Sequence, residues 1–359
     1  MTSRMVPRIL AGLVLCVLFP GAARGHHGCG IVVDGDRDRV YFLDTYRNLV
    51  WSLHADGRLE RFGPGVHAST LSLDPEGNLY VDDFSTRLLR IAPDGAATQL
   101  LGEPEGPVRV SLERGARVGD WSTFLAVDRE GSLYFRTGND FLERPDVLIL
   151  KLSGEGGATT LAGGAPGHAD GIGSAARFKA AFAAAWGADG SLYLTDEDAI
   201  RRVTREGVAS TLARQAGSEP GGVEDAVPFR VLRGISVDAD GDVFAADYGN
   251  RRVVKVTPGG EATTVYRSPR LWSPSGVAVA AGLRGLFVLE DGYYPALAGR
   301  APRVRRASAD GSVTTVATVQ GLTGTTWIFL TKSTLTLIAA GLLFLLLQRI
   351  WRFSTSRKR

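Results

Sequence analysis

The sequence is poor in cysteine and histidine, which limits the disulfides, catalytic cysteine–histidine pairs and histidine-ligated metal sites that the chain can form. It holds two cysteines, Cys16 and Cys29, and five histidines in 359 residues. Cys16 lies in an N-terminal apolar run typical of a removable signal, so the mature chain would keep only Cys29 and could form no intramolecular disulfide. The domain must then be stabilised by its own hydrophobic core. The sequence also lacks a Gly-x-Ser-x-Gly motif or a cysteine–histidine pair that would point to a nucleophilic hydrolase.

Lysine is scarce as well. Five of the 41 basic residues are lysines, the rest are arginines, and the net charge is only +3. No stretch alternates basic residues with aromatic ones. We therefore expect no nucleic-acid partner.

The first 23 residues are typical of a secretory signal. Two arginines precede an apolar run over residues 9–19, and small residues at 21–23 offer a cleavage site. The run is too short to cross a bilayer. We expect cleavage after Ala23, with Gly25 as the other candidate position; retention as an uncleaved anchor is the alternative.

A second apolar segment lies near the other end of the chain. Residues 327–348 hold a single charged residue, Lys332, and are long enough to cross about 30 Å of hydrocarbon. Residues 349–359 hold five basic residues, which favour the cytoplasmic side of a membrane. We predict a single-pass protein of the cell membrane with a transmembrane helix over 327–348 and a cytoplasmic tail over 349–359. A cell-surface sorting tail and a buried core helix are the alternatives.

Between these ends one pattern occurs six times. A short apolar strand leads into a turn rich in Asp and Gly, a second strand with an aromatic residue follows, and two further strands complete the unit. The aromatic residues are Tyr41, Tyr80, Tyr134, Tyr193, Phe244 and Phe287. One four-stranded sheet cannot bury both of its faces, whereas six side by side can close into a ring. We predict an all-β, six-bladed β-propeller of four-stranded blades over residues 31–318, after an N-terminal segment 24–30 and before a linker 319–326.

Two of the six units resemble NHL repeats. Residues 162–213 join DGIGSAARF to DGSLYLTD, a basic strand and a closing STLA, and residues 235–266 contain DADGDVFAADYGNRRVVKV. The resemblance implies a propeller fold. It implies little about function, because such rings serve as binding modules, sensors and a few enzymes.

The stretch around Gly171 and Gly173 also matches the Gly-x-Gly-x-x-Ala loop of dinucleotide-binding proteins. Such a loop needs a strand before it and a long helix after it. Here the last strand of one unit precedes it and a hairpin follows, so we expect no dinucleotide. We interpret Asp170, Gly171 and Gly173 as residues that carry the chain from one blade to the next, and the resemblance gives Arg177 and Phe178 an anchoring role in that crossing.

An acidic residue follows the aromatic residue by three positions in five of the six units. These rim acids are Asp44, Asp83, Asp196, Asp247 and Glu290. A ring of carboxylates could bind calcium or a basic partner, but we favour the structural alternative, in which each acid hydrogen-bonds its own turn. The DADGD stretch at 238–242 lacks the glutamate of a calcium loop and predicts a hairpin turn.

Two of the loops that follow the second strand are long. They belong to units three and six, which lie opposite each other in a ring of six. The first contributes Asn139, Asp140, Phe141 and Arg144, and the second Tyr293 and Tyr294. Exposed aromatic residues flanked by charge are typical of contact surfaces. We predict a ligand- or partner-binding face there, at the mouth of the central channel; ordinary variable loops are the alternative.

Cleavage after Ala23 would leave Arg24-Gly25-His26 at the N-terminus. A free amine, two backbone amides and the imidazole of the third residue form a site suited to Cu(II) or Ni(II). His27 and Cys29 lie close by in the sequence. The alternative is a terminus without a metal, and no other cofactor is predicted.

These features predict an exported, membrane-tethered propeller that binds a protein, peptide or glycan outside the cytoplasm. The alternative is a metal-dependent lyase or lactonase-like enzyme with its site at the channel mouth. No histidine occupies a recurring strand end, so a histidine-ligated zinc is not expected; lactonase propellers of similar type use Glu, Asn and Asp ligands. Three or more converging metal-binding side chains would favour the enzyme, and an arginine-lined or hydrophobic mouth would favour the binding module.

Overall fold

The structure is a computed structural model. It describes residues 30–83, 87–101, 110–111, 117–118, 123–137, 146–153, 158–216, 227–279, 285–292, 300–308 and 310–320. The predicted signal, N-terminal metal site, transmembrane segment, tail and both long loops, with all their candidate residues, lie outside these ranges. Within them, no helix has the length and apolar character needed to cross a membrane.

The first three blades are antiparallel four-stranded sheets in which sequential strands are neighbours. Blade 1 comprises β1 (Ile31–Asp34), β2 (Arg39–Asp44), β3 (Leu49–His54) and β4 (Leu59–Arg61). Blade 2 comprises β5 (Ala68–Leu73), β6 (Leu79–Asp83), β7 (Arg87–Ile91) and β8 (Ala97–Leu101). A two-stranded sheet of β9 (Val110–Ser111) and β10 (Arg117–Val118) precedes blade 3, which comprises β11 (Thr123–Val127), β12 (Leu133–Arg136), β13 (Val147–Leu152) and β14 (Ala158–Gly164).

The last three blades repeat this arrangement with one addition. In blade 4, a short edge strand β15 (Gly171–Ile172) precedes β16 (Ala183–Trp186), β17 (Leu192–Asp196), β18 (Ala199–Val203) and β19 (Val208–Ala213). A two-stranded sheet of β20 (Gln215–Ala216) and β21 (Val227–Pro228) leads to blade 5, which comprises β22 (Leu232–Val237), β23 (Val243–Asp247), β24 (Arg252–Val256) and β25 (Ala262–Arg267). Blade 6 comprises β26 (Trp272–Val279), β27 (Leu286–Gly292), β28 (Arg300–Ala307) and β29 (Val313–Gln320). Single 3₁₀ turns lie at Gly173–Ala175 and Tyr248–Asn250.

The first strands of the six blades form a closed ring around a central channel. The ring runs through β1, β5, β11, β16, β22 and β26, each in contact with the next, and β26 returns to contact β1. Each blade is one continuous stretch of chain, so blades 1 and 6 meet face to face and share no sheet. The predicted all-β six-bladed propeller is confirmed, and each repeat aromatic lies in the second strand of its blade.

The hydrophobic core is divided among the blade interfaces. Successive side chains of a strand point to opposite faces of its sheet, so each blade presents apolar residues to both neighbours. Leu125 of blade 3 and Leu192 of blade 4 belong to one buried cluster. Phe42 of blade 1 and Leu289 of blade 6 belong to another, so the closing interface of the ring is built in the same way as the others.

The 238–242 stretch is the turn that joins β22 to β23. The carboxylate of Asp238 accepts the backbone N–H groups of Asp240 and Asp242 at 3.0 and 2.9 Å. This contact agrees with the predicted hairpin turn.

The glycines at 171 and 173 serve the crossing from blade 3 to blade 4. Gly171 lies in β15, which pairs with β19 and makes blade 4 five-stranded. A Cβ atom on Gly171 would lie 2.9 Å from the carbonyl carbon of Ala175, and Gly173 has a φ of +55°. Glycine meets both requirements without strain. A crossing from one blade to the next was predicted here; the additional edge strand was not.

A buried arginine ties this crossing to blade 4. Arg201 is 0% exposed and donates hydrogen bonds to the carboxylates of Asp170 and Asp196 at 3.0 and 3.2 Å. It also donates to the backbone carbonyl oxygen of Arg177 at 3.0 Å. Its guanidinium carbon lies 4.9 Å from the ring centroid of Phe178, which is itself fully buried.

Substitution of Arg201 should destabilise the protein strongly. Arg201→Met would leave the fully buried carboxylate of Asp196 without its cation, and we expect the free energy of unfolding to fall by about 3–5 kcal/mol. Denaturant unfolding followed by tryptophan fluorescence measures this loss. Arg202→Met is the matched control, because the next residue on β18 forms an exposed pair with Asp189 and its loss should cost less than ~1 kcal/mol. Equal losses in the two variants would contradict the role of Arg201.

The same crossing should make stability depend on pH through His168. Burial lowers the pKa of His168, with a further contribution from the positive charges of Arg201 and Arg214. The unfolded chain therefore binds this proton more readily, and the stability contributed by the neutral ring is lost as the pH falls below about 6.5. In His168→Gln, the decrease in unfolding free energy between about pH 7 and pH 5 should be smaller than in the parent protein. Parallel pH profiles for the two proteins would refute this expectation.

Candidate functional site

The rim acids do not form an open ring of carboxylates. Each forms an ion pair with an arginine that follows it in the same blade. The pairs are Asp44–Arg47 at 2.6 Å, Asp83–Arg87 at 2.6 Å, Asp196–Arg201 at 3.2 Å, Asp247–Arg252 at 2.8 Å and Glu290–Arg303 at 2.7 Å. In blade 3 the corresponding residue is Thr137, whose hydroxyl accepts the backbone N–H of Leu148 at 3.0 Å.

Three rim acids also hold the segment that leads into the first strand of their blade. Their carboxylates accept backbone N–H groups: Asp83 from His67 at 3.0 Å, Asp196 from Lys179 and Ala180 at 2.8 Å, and Asp247 from Arg230 at 2.9 Å. Each of these carboxylates therefore joins the start of a blade to its third strand. Across the described ranges, no three His, Cys, Asp or Glu side chains come together in a group that could hold a metal ion.

The central channel contains a cavity of about 530 Å³. The first strands of all six blades line it, with small or apolar residues such as Val32, Ser72, Ala126, Ala184, Ser236 and Ala278. Charged residues line it at the end where the first strands finish: Asp74, Asp128, Arg129 and Asp238. Two of the lining hydroxyls join neighbouring blades, because Ser72 accepts the backbone N–H of Val127 and Ser236 that of Val279, both at 3.2 Å. A cavity of this size suits a small organic molecule.

Cations and aromatic rings alternate at the end of the channel where the first strands begin. We call Arg136, Phe182, Arg233 and Tyr248 the mouth cluster; they belong to blades 3, 4 and 5. The guanidinium carbon of Arg136 lies 5.9 Å from the ring centroid of Phe182. That of Arg233 lies 4.9 Å from Phe182 and 5.6 Å from Tyr248. Both guanidinium groups are thus within the range of cation–π attraction.

The side chain of Arg233 differs from those of the paired arginines. Its backbone carbonyl is fixed by the hydroxyl of Thr195, which donates to it at 2.6 Å. Its guanidinium forms no ion pair with another described residue, and its buried Nε atom has no hydrogen-bond partner among them, as is also true of the Nε atom of Arg201. The position of Arg233 is therefore set by its backbone and by the two rings.

Two carboxylates at this end of the molecule are not rim acids. Asp82 is 4% exposed and accepts the backbone N–H of Phe124 at 3.2 Å. Asp291, also 4% exposed, follows the rim acid of blade 6 and lies opposite Ser273 in the sheet. Desolvation and the charges of Asp291 and Asp44 raise the pKa of Tyr46 to about 12, so its hydroxyl stays protonated at neutral pH.

The sequence analysis did not identify the mouth cluster. Its members do not recur from unit to unit, and Phe182 and Arg233 occupy the starts of first strands, where the repeat pattern carries no marked residue. The two long loops predicted to form a contact face continue from this end of the molecule. The one with Asn139, Asp140, Phe141 and Arg144 follows Thr137, and the one with Tyr293 and Tyr294 follows β27. These six residues lie outside the described ranges.

Solved structures of similar fold show the propeller architecture. A gluconolactonase from Xanthomonas campestris is 15% identical, with a TM-score of 0.50, 77% of this chain covered and 84% of that chain covered. A protein of unknown function from Bacteroides thetaiotaomicron is 14% identical, with a TM-score of 0.54 and coverages of 79% and 70%. A chain of the nidogen–laminin complex is 13% identical, with a TM-score of 0.50 and coverages of 71% and 85%. Among curated proteins, none matches this sequence.

A family model covers most of the propeller. The model, described as SMP-30/Gluconolactonase/LRE-like region, matches residues 27–291, from the entry to blade 1 into β27 of blade 6. NHL propellers are related to this fold, but membership of the NHL repeat family itself is not shown. The resemblance to NHL repeats is therefore replaced by assignment to the broader family. The chain belongs to the SMP-30/gluconolactonase/LRE-like family.

Proposed function

We propose that this chain is a lactonase-like enzyme that takes a small organic molecule into its central channel. The family match carries the proposal, because it includes the first strands of all six blades, which line the cavity. It favours the enzymatic alternative of the sequence analysis over the binding ectodomain. The cavity volume of about 530 Å³ is also suited to a small molecule.

Lactonase propellers are expected to use a cation, which would need several carboxylate, amide or imidazole donors at the mouth. The described part of the mouth brings together the guanidinium groups of Arg136 and Arg233 instead of three metal-binding side chains. A cation placed beside them would be repelled. These residues do not fit a metal, and no step of the reaction is derived through one.

The chemistry proposed is the addition of water to the acyl carbon of a lactone. The acyl carbon–oxygen bond breaks, the ring oxygen takes a proton, and the product is a hydroxy acid. A carboxylate near the mouth can accept the proton of the attacking water. We assign this base to Asp291, which is 4% exposed and directly follows the rim acid of blade 6.

A lactone panel tests the proposal. The purified full-length protein should release acid from at least one neutral γ- or δ-lactone in a pH-stat, and Asp291→Asn should lower kcat by about 10²–10⁴-fold with little change in KM. Asp189→Asn is the control, because this exposed carboxylate pairs with Arg202 in a turn away from the mouth; its kcat should be unchanged. A parent protein that hydrolyses no lactone would rule out the proposed activity.

A non-catalytic ligand-binding role is the second candidate. The arginines of the mouth cluster favour it, since an arginine-lined mouth was the feature expected of a binding module. Its ligand would be a small molecule in the channel, or an extracytoplasmic protein, peptide or glycan at the two long loops. A lactone or acid that raises the melting temperature without being hydrolysed would support this role over the enzyme.

We also propose that the propeller lies outside the cytoplasm and is tethered by residues 327–348. The signal-like segment at 1–23 and the basic residues at 349–359 support this orientation.

Reporter fusions test the orientation. Alkaline phosphatase, which is active only outside the cytoplasm, should be active when fused after residue 326 and inactive when fused after residue 359. Deletion of residues 2–23 should inactivate the first fusion if the segment is the export signal. An active fusion at residue 359 would overturn the proposed topology.

A further inference from the structure

We infer that Tyr46 is a second catalytic residue of the proposed reaction, and that its hydroxyl donates a hydrogen bond to the carbonyl oxygen of the lactone. The inference rests on the proposed function, which assigns the base to Asp291. It adds the group that stabilises the charge formed when water attacks. The two residues belong to blades 1 and 6, whose first strands meet where the ring closes.

The face of blade 6 on which Asp291 lies follows from alternation along β27, because successive side chains of a strand point to opposite faces of its sheet. Leu289 belongs to the buried cluster that includes Phe42 of blade 1. The carboxylate of Glu290 instead accepts the hydroxyl of Tyr266 in blade 5 at 2.8 Å. Asp291, two residues after Leu289, therefore lies on the face of blade 6 that is turned toward blade 1.

Tyr46 lies at the same end of blade 1. It occupies the turn between β2 and β3, and the second strands end where the first strands begin. Its backbone N–H donates to the carboxylate of Asp44 at 3.2 Å, and this fully buried carboxylate also pairs with Arg47 at 2.6 Å. The turn is thus held against its blade, while the side chain of Tyr46 is 57% exposed and open to a substrate.

The charge of Asp291 acts on the Tyr46 hydroxyl across the interface between the two blades. Desolvation, then the charge of Asp291 and then that of Asp44 raise the pKa of Tyr46 to about 12. Asp44 is only two residues from Tyr46 in the sequence, so the larger contribution of Asp291 agrees with a carboxylate that faces the hydroxyl. The phenol stays protonated at neutral pH and is therefore available as a hydrogen-bond donor.

The two groups divide the chemistry between them. As the water oxygen bonds to the acyl carbon, the carboxylate of Asp291 accepts a proton from the water and the carbonyl oxygen gains negative charge. The hydroxyl of Tyr46 donates to that oxygen, and this hydrogen bond strengthens as the charge develops. When the bond between the acyl carbon and the ring oxygen breaks, Asp291 returns the proton to the ring oxygen. Because the contribution of Tyr46 is greatest in the transition state, its loss should lower kcat and leave KM nearly unchanged.

Tyr46→Phe in the full-length protein tests the inference, because it removes the hydroxyl and keeps the ring. On a lactone that the parent protein hydrolyses, kcat should fall about 10²–10³-fold with little change in KM or in the melting temperature. Tyr193→Phe is the matched control, since its hydroxyl also meets a carboxylate, that of Asp189 at 3.2 Å, but at the opposite end of its blade. Its kcat should equal that of the parent protein.

A thiolactone of the same ring size separates a donor to the carbonyl oxygen from an acid that protonates the leaving group. Its carbonyl oxygen is the same, but its sulfur leaves with less need of a proton. Tyr46→Phe should therefore lower kcat by a similar factor for the lactone and the thiolactone. A loss confined to the lactone would overturn the assigned role at the carbonyl oxygen.

Other outcomes also decide the matter. An unchanged kcat in Tyr46→Phe, with an active parent protein, would overturn the inference and leave the proposed function standing. A raised KM with unchanged kcat would show uniform binding of substrate and transition state, and an equal loss in Tyr193→Phe would show a general structural effect; either would also overturn it. A parent protein that hydrolyses no lactone would reject the proposed function and this inference together.

Discussion

The carboxylate–arginine pair at the end of the second strand, present in five of the six blades, is the interaction on which the ring depends. In blade 4 the two partners, Asp196 and Arg201, are both fully buried, and the same carboxylate accepts N–H groups from the segment that enters the blade. Replacing a buried ion pair by apolar residues of similar volume often changes the free energy of unfolding little. Such pairs therefore contribute more to the selection of one packing arrangement of the blade than to its net stability. In blades 2, 4 and 5 they hold the incoming segment against its blade, and thereby the start of the first strand.

Because the rim acids are engaged in ion pairs, the chemistry of the channel mouth depends on other side chains. Five carboxylates that could have formed a cation site are compensated by arginines of their own blades. Side chains that do not recur lie at the same end, among them the Arg136 and Arg233 guanidinium groups beside the rings of Phe182 and Tyr248.

Family membership supports a site within the channel, whereas the side chains at that site decide what it can bind. The family match covers the strands that form the channel and supports a small-molecule site within it. The identity of the side chains at the mouth decides what such a site can hold, because a shared ring can carry different groups at the starts of its first strands. The proposed lactonase-like reaction therefore assigns a carboxylate, Asp291, to that end of the ring and derives no step through a metal.

The sequence by itself determined the number of blades, the four strands of each and the position of each repeat aromatic in a second strand. These features depend on alternation, turn residues and repetition, which are local properties of the chain. The repeat pattern also identified the rim acids, but it did not identify the arginines that form ion pairs with them. Only the tertiary structure decided that β15 joins blade 4 and that Arg233 meets Phe182 and Tyr248. The physical reason is that residues of separate blades become neighbours only when the blades stack around the closed ring.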